Sequence, residues 1–300
     1  MLLRLAGYKH LELTDKEVFT RHLRAGPPAI SELTFSNLFM WRRHYQPHWR
    51  EADGCLLVAA CLEGSEPFGL PPAGAGDRVG AAETLCRDLA QAGYPHQLQR
   101  VGEELALALE ATGRFSIDFD RDNSDYVYLA SELAELPGRR FHRKKNHFNK
   151  FVKNYRFEYR PLEAQFIRQV LDMQENWCRL RECDEDPGLA SEDRAIYEAL
   201  SNYQDLDYSG GVILIDGKVE AFSLGEPLSP DTAVIHLEKG NPAFEGIYAA
   251  INKLFVTNAW AGMTYINREQ DLGLSGLRQA KESYLPHHLV NKYVVTPDFL

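Results

Sequence analysis

Between Gln165 and Arg181 the apolar residues Phe166, Val170, Met173 and Trp177 recur at spacings of three and four. That period predicts an amphipathic helix with one buried stripe. A second helix is expected over Ser191–Tyr203, with Ser191 as its cap. The stretch GVILIDGKVEAFSLGEPL then reads as a β-hairpin. Asp216-Gly217 falls at its tip, where a type I′ turn needs two positive φ values. TAVIHLEKG continues the meander, Glu245–Ala261 is a helix, TYINRE a strand, Ser275–Tyr284 a helix and HLVNKYVVTP a last strand. FEYRPL, ahead of the long helix, is a strand as well.

The first half mixes the two periods. Thr14 and Glu17 form a capping box for a helix that ends near Gly26 and Pro27-Pro28. Ile30–Tyr45 is an aromatic-rich helix or turn, and CLLVAACL a buried strand. Glu63 to Gly80 reads as a Gly- and Pro-rich loop, followed by a helix to Ala92. HQLQRV, RFSIDF and DYVYLA are strands, and EELALALEATG is a helix.

From Phe157 onward the order is therefore β-α-α-β-β-β-α-β-α-β. A three-stranded meander followed by α-β-α-β is the order of the GNAT (acyl-CoA N-acyltransferase-like) fold, in which the fourth and fifth strands splay apart around the acyl donor. The expected class is α+β, with mixed, mostly antiparallel sheets flanked by helices. A chain of 300 residues exceeds one compact domain. Two tandem GNAT-like domains are expected: a degenerate one over 1–136 and a second over 137–300 that begins with a basic helix.

Charge sharpens this division. The chain carries a formal charge of -10, which disfavours non-specific binding to nucleic acid or anionic lipid over its whole surface. Yet GRRFHRKKNHFNKF, from Gly138 to Phe151, concentrates cations. Phe141, Phe148, Phe151 and Val152 there keep helical spacing, leaving Arg139, Arg140, Arg143, Lys144, Lys145 and Lys150 largely in solvent, with Asn146 among them. Two readings stay open: an ordinary solvated face, or a helix that binds the phosphates of a donor with a steep salt dependence. The N-terminal apolar run is too short for a signal peptide and no stretch is long enough to cross a bilayer, so a cytoplasmic location is expected. Cys55, Cys61, Cys86, Cys178 and Cys183 contain no C-x-x-C pair and read as reduced thiols. His287 and His288 lack partners at metal-ligand spacing, and no metal is expected.

The runs DYVYLASELAELPGRRFHRKKNHFNKF, HLEKGNPAFEGIYAAINKLF and YINREQDLGLSGLRQAKESYLPHHLVNKY resemble soluble proteins similar to the C-terminal catalytic domain of phosphatidylglycerol lysyltransferase, which are akin to Fem-type aminoacyltransferases. The resemblance implies transfer of an aminoacyl group from aminoacyl-tRNA to an amine or hydroxyl. The acceptor would be a small molecule, lipid headgroup or peptide, with no tightly bound cofactor. Acyl-CoA is the alternative co-substrate, and a non-catalytic binding module the alternative role. Against acyl-CoA, Gly240–Phe255 offers Pro242, which has no N–H, and Glu245, a negative charge where a pyrophosphate would dock. In the expected cleft, Glu238 ends the fourth strand, and Arg268, Glu269 and Asp271 follow the fifth. Lys281 and Tyr284 lie on the next helix. Carboxylates there suit a cationic aminoacyl group, Arg268 or Lys281 an oxyanion, and a carboxylate or tyrosine a proton transfer.

Overall fold

The computed structural model describes residues 3–62 and 64–299, so Met1, Leu2, Glu63 and Leu300 of the expected N-terminal, loop and C-terminal segments lie outside the described residues. The chain divides into two compact units. The first comprises residues 1–125, 270–275 and 289–300, and the second 126–269 and 276–288.

The first unit is built on an eight-stranded sheet. Its elements are β1 (Lys9–His10), α1 (Lys16–Ala25), α2 (Phe35–Met40), α3 (Arg42–Tyr45), β2 (His48–Ala52), β3 (Cys55–Ala60), β4 (Phe68–Gly69), β5 (Ala73–Gly74), α4 (Arg78–Gln91), β6 (Leu98–Gly102), α5 (Glu103–Glu110) and β7 (Phe115–Phe119). The strand β3 is buried along its whole length, and its residues pack with Leu85 and Leu89 of α4 and Leu98 of β6 in the core. The capping box forms earlier than expected, between Glu12 and Asp15, because Asp15 also receives Lys9 and the Trp49 indole N–H.

The second sheet contains β8 (Asp125–Leu129), β9 (Phe157–Pro161), β10 (Ser209–Ile215), β11 (Lys218–Pro227), β12 (Thr232–Gly240), β13 (Tyr265–Asn267) and β14 (His288–Val290), in the order β14-β8-β13-β12-β11-β10-β9. Its helices are α6 (Ala130–Glu135), α7 (His142–Asn154), α8 (Ala164–Arg181), α9 (Pro187–Ser201), α10 (Ile247–Ala259) and α11 (Ser275–Glu282). Asp216 and Gly217, at φ 50° and 77°, turn the expected hairpin. The architecture is α+β with two tandem GNAT-like halves.

Three local expectations are corrected. Asp186, not Ser191, caps α9 by accepting from the Gly188 and Leu189 N–H groups, and Pro187 opens the helix where no N–H is needed. HLVNKYVVTP does not form one strand: it breaks at Asn291, β14 joins the second sheet, and β15 (Lys292–Pro297) joins the first, between β6 and β7. Cys178 and Cys183 are not free thiols but form a disulfide. Glu182, in the left-handed region at φ 52°, ends α8 and turns the chain back, so the two Cα atoms stand 5.0 Å apart, within bridging range. Cys55, Cys61 and Cys86 are free and buried.

Two strands define the gap. Parallel pairing of β12 with β13 covers Thr232↔Tyr265, Ala233↔Ile266 and Val234↔Asn267. Beyond that point β12 keeps its register with β11 as far as Ala221↔Gly240. The chain after β13 instead follows β8, through Arg268 N–H to Tyr126 O and Tyr126 N–H to Glu269 O. The two strands thus part company after Val234 and Asn267, and a wedge opens between them.

Candidate functional site

Glu238 projects from the free part of β12 and Arg268 from the end of β13, and they meet across the wedge at 3.0 Å. The other carboxylate oxygen of Glu238 accepts the Asn252 side-chain N–H of α10, also at 3.0 Å. One carboxylate therefore fixes two partners. Each keeps one buried polar atom without a hydrogen bond: Arg268 Nη1, a donor, and Asn252 Oδ1, an acceptor. Burial opposes the charge on Arg268, but Glu238, Tyr128 and Tyr284 outweigh it and hold the guanidinium firmly protonated.

Tyrosines wall this group. The Arg268 guanidinium lies 4.8 Å from the ring centre of Tyr284 and 5.6 Å from that of Tyr128. Burial raises the pKa of both phenols, which therefore stay neutral. The Lys144 ammonium also sits against Tyr284, 3.8 Å from the ring centre. Lys144 comes from α7. Its neighbours Phe141 and Phe151 are buried, and Phe151 belongs to the core with Ile247 and Ile251 of α10. Positions 141, 144, 148 and 151 share one helical face, so the helix that packs its phenylalanines inward carries Lys144 inward too. Burial first, then the charges of Arg268 and Arg143, bring its pKa down to about 8.

The remaining candidates disperse. The Lys281 ammonium donates to the carbonyls of Arg268 and Glu269, holding the end of β13. Glu269, at φ 59°, turns its carboxylate to His236 Nδ1 at 2.7 Å, while His236 Nε2 meets Glu226 at 3.0 Å. Asp271 belongs to the first unit, where it accepts from Arg121 and the Gly273 N–H. On α7 and the turn before it, Arg140 pairs with Glu132, Lys150 with Glu245 at 2.7 Å, and Asn146 with His142. Arg139, Arg143 and Lys145 are exposed. Asn252, Tyr128, His236 and Glu226 are absent from the sequence-based set. Asn252 had a visible signal, as an amide inside the otherwise apolar run IYAAINKLF.

The N-terminus of α10 is closely covered. Gly246 caps it at φ 88°, and a Cβ there would lie 2.3 Å from the His147 carbonyl oxygen of α7. Only glycine allows this approach. The space ahead of the helix therefore holds a carbonyl oxygen and, one residue earlier, the Glu245 carboxylate.

Parallel β12 and β13, splayed after three register pairs and flanked by α10, give the second unit a GNAT-like fold. The chain belongs to the phosphatidylglycerol lysyltransferase C-terminal family, whose model matches residues 24–296. A conserved protein of unknown function from Bacteroides thetaiotaomicron is similar at 33% identity and a TM-score of 0.91, over 98% of this chain and 100% of that one. The C-terminal domain of a putative lysylphosphatidylglycerol synthetase from Agrobacterium fabrum shares the fold at 13% identity and a TM-score of 0.69, over 94% and 91% of the two chains. L-PGS from Bacillus licheniformis does so at 15% and 0.67, over 95% and 93%. A curated relative, an uncharacterized protein of Mycoplasmoides gallisepticum, is 22% identical over 61% of this chain, and the match spans 59% of that relative's length. Among the described residues no helix is long and apolar enough to cross a membrane.

Proposed function

We propose that the wedge beside Glu238 and Arg268 is an aminoacyl-transfer site, and that the protein moves an aminoacyl group from aminoacyl-tRNA to an amine or hydroxyl acceptor. The observation that carries this reading is the pair of unpartnered buried atoms, Arg268 Nη1 and Asn252 Oδ1, held by the two oxygens of one carboxylate. A donor and an acceptor anchored by one carboxylate would complement an aminoacyl ester. Its carbonyl oxygen accepts from the guanidinium, and its α-amino group donates to the amide oxygen. A plain acyl group would leave the amide oxygen unsatisfied, at a cost of about 1–3 kcal/mol.

The chemistry follows from the same atoms. As the acceptor attacks the ester carbon, negative charge grows on the carbonyl oxygen beside Arg268, where a fixed cation in a dry site stabilises it most. Lys144, with a pKa brought down to about 8, gives up its proton more readily than an ordinary lysine. The neutral amine can then take the proton of the attacking group and hand it to the ribose oxygen as the ester C–O bond breaks. Exposed Arg143 and Lys145 on the same helix, with Arg139 on the turn before it, suit the phosphates of an acceptor stem. The names of the family and of the solved relatives make lysine a first candidate for the amino acid and a lipid headgroup one of the acceptors to try. Acyl-CoA is disfavoured, because the His147 carbonyl oxygen stands against Gly246 at the start of α10, where a pyrophosphate would dock.

The test is transfer of radiolabelled amino acid from a charged tRNA pool to candidate acceptors. Arg268→Ala should lower the rate by about two orders of magnitude, and Lys144→Glu/Lys145→Glu should weaken tRNA binding and flatten its salt dependence. Saturable acetyl-CoA binding with acyl turnover would replace this reading with the CoA-dependent one. Tight tRNA binding without turnover would leave the non-catalytic module.

A further inference from the structure

The acidic turn after α8 stays outside the transfer chemistry, yet it borders a cleft of about 830 Å³ between α8 and α9. That volume falls in the range of small-molecule sites. Six carboxylates and three guanidiniums line it. Asp172 pairs with Arg168 at 2.9 Å and Glu175 with Arg179 at 3.2 Å. Asp193 accepts the Gln174 amide at 3.0 Å, and Arg194 donates to Ser191. Glu182, Asp184 and Glu185 are left exposed, with no cation paired to them among the described residues. The disulfide from Cys183 to Cys178 ties their turn to the end of α8.

A second, independent feature lies in the cleft wall. Gln174 is 3% exposed, and its side-chain oxygen has no hydrogen-bond donor. A buried amide oxygen left open costs stability unless something donates to it. Leu171, Ile196 and Tyr197 supply apolar surface in the same cleft.

We propose that the cleft between α8 and α9 is a binding site for an alkyl polyamine. Its ammonium groups would lie against Glu182, Asp184 and Glu185, its methylene stem against the apolar wall, and one N–H on the Gln174 oxygen. The inference is independent of the transfer reading, since none of these residues belongs to the wedge.

Calorimetric titration of the full chain with spermidine and with putrescine tests it. The expected result is saturable binding at one site. Glu182→Gln/Asp184→Asn/Glu185→Gln should weaken it at least about tenfold, as loss of three charge contacts implies. Gln174→Leu should weaken it while leaving the acids in place. If that buried substitution unfolds the protein, the triple variant, confined to exposed side chains, still decides the matter. Absence of saturable heat, affinity within twofold of wild type in the triple variant, or magnesium chloride displacing spermidine equally well at matched ionic strength would each overturn the proposal.

Discussion

Replacing His236 by glutamine should remove a pH dependence of stability that the wild-type protein carries. The imidazole side chain is 0% exposed and bridges Glu226 and Glu269 at 3.0 and 2.7 Å. Burial alone would favour the neutral ring, but the two carboxylates outweigh it and lift the pKa from 6.5 to about 9. Below pH 6.5 the ring is protonated in both the folded and unfolded chain, and the full contribution is present. Between 6.5 and 9 only the folded protein still holds the proton, so stability falls by about 1.4 kcal/mol per pH unit. Above 9 the contribution is gone. The whole step is worth on the order of 3 kcal/mol.

Urea denaturation at constant ionic strength, from pH 6 to 9.5, measures it. The glutamine variant keeps an amide between the carboxylates but cannot titrate. The difference between the two proteins should therefore shrink steadily across that window, while Lys144 and other groups titrate in both and cancel. A difference that stays constant with pH, or grows as pH rises, would refute the charged Glu–His–Glu bridge.

Two further substitutions probe packing. Lys292 is fully buried and its ammonium bonds Glu32 at 2.7 Å and Asp125 at 2.6 Å; Lys292→Met should cost about 3–5 kcal/mol in urea unfolding of the first unit's transition, and a loss under about 1 kcal/mol would mean that the two carboxylates find other partners. Gly246→Ala adds a Cβ 2.3 Å from a backbone oxygen at a positive φ; a loss of about 2 kcal/mol or more is expected, and a neutral result would mean that α7 does not lie so close to α10.

What the sequence could reveal followed the range of the forces involved. Short-range patterns were readable: the stripe of α8, the Asp216-Gly217 turn and the cations of α7 all act within a few residues. Strand order then placed Glu238 and Arg268 on opposite sides of the wedge, because a splayed pair exposes whatever ends its strands. Lys144 was counted with the solvated cations, although its position on the phenylalanine face already pointed inward. Glu269 and Asp271 were not separable from Arg268 by proximity in sequence. A single left-handed residue at Glu269 turns its carboxylate to His236, and the chain after it enters the first unit. The disulfide escaped a search for C-x-x-C because its spacing of five depends on the left-handed turn at Glu182.

Two buried charge clusters use their polar atoms differently, and that contrast bears on where a ligand could bind. In the first, Lys292 is enclosed by Glu32 and Asp125, and Asp125 also takes the Ser31 N–H and hydroxyl. Such a cluster holds a fold in register and offers a ligand little, because its charges are spent on one another. In the second, Glu238 spends both oxygens on Arg268 and Asn252 and leaves a donor and an acceptor open beside a gap in the sheet. Buried polar atoms without partners cost stability, and a ligand that completes the set recovers that cost. A chain that needed this wedge only for packing would gain by closing it with apolar side chains. That it instead fixes a cation there with a shared carboxylate and two aromatic rings is what the proposed transfer site rests on.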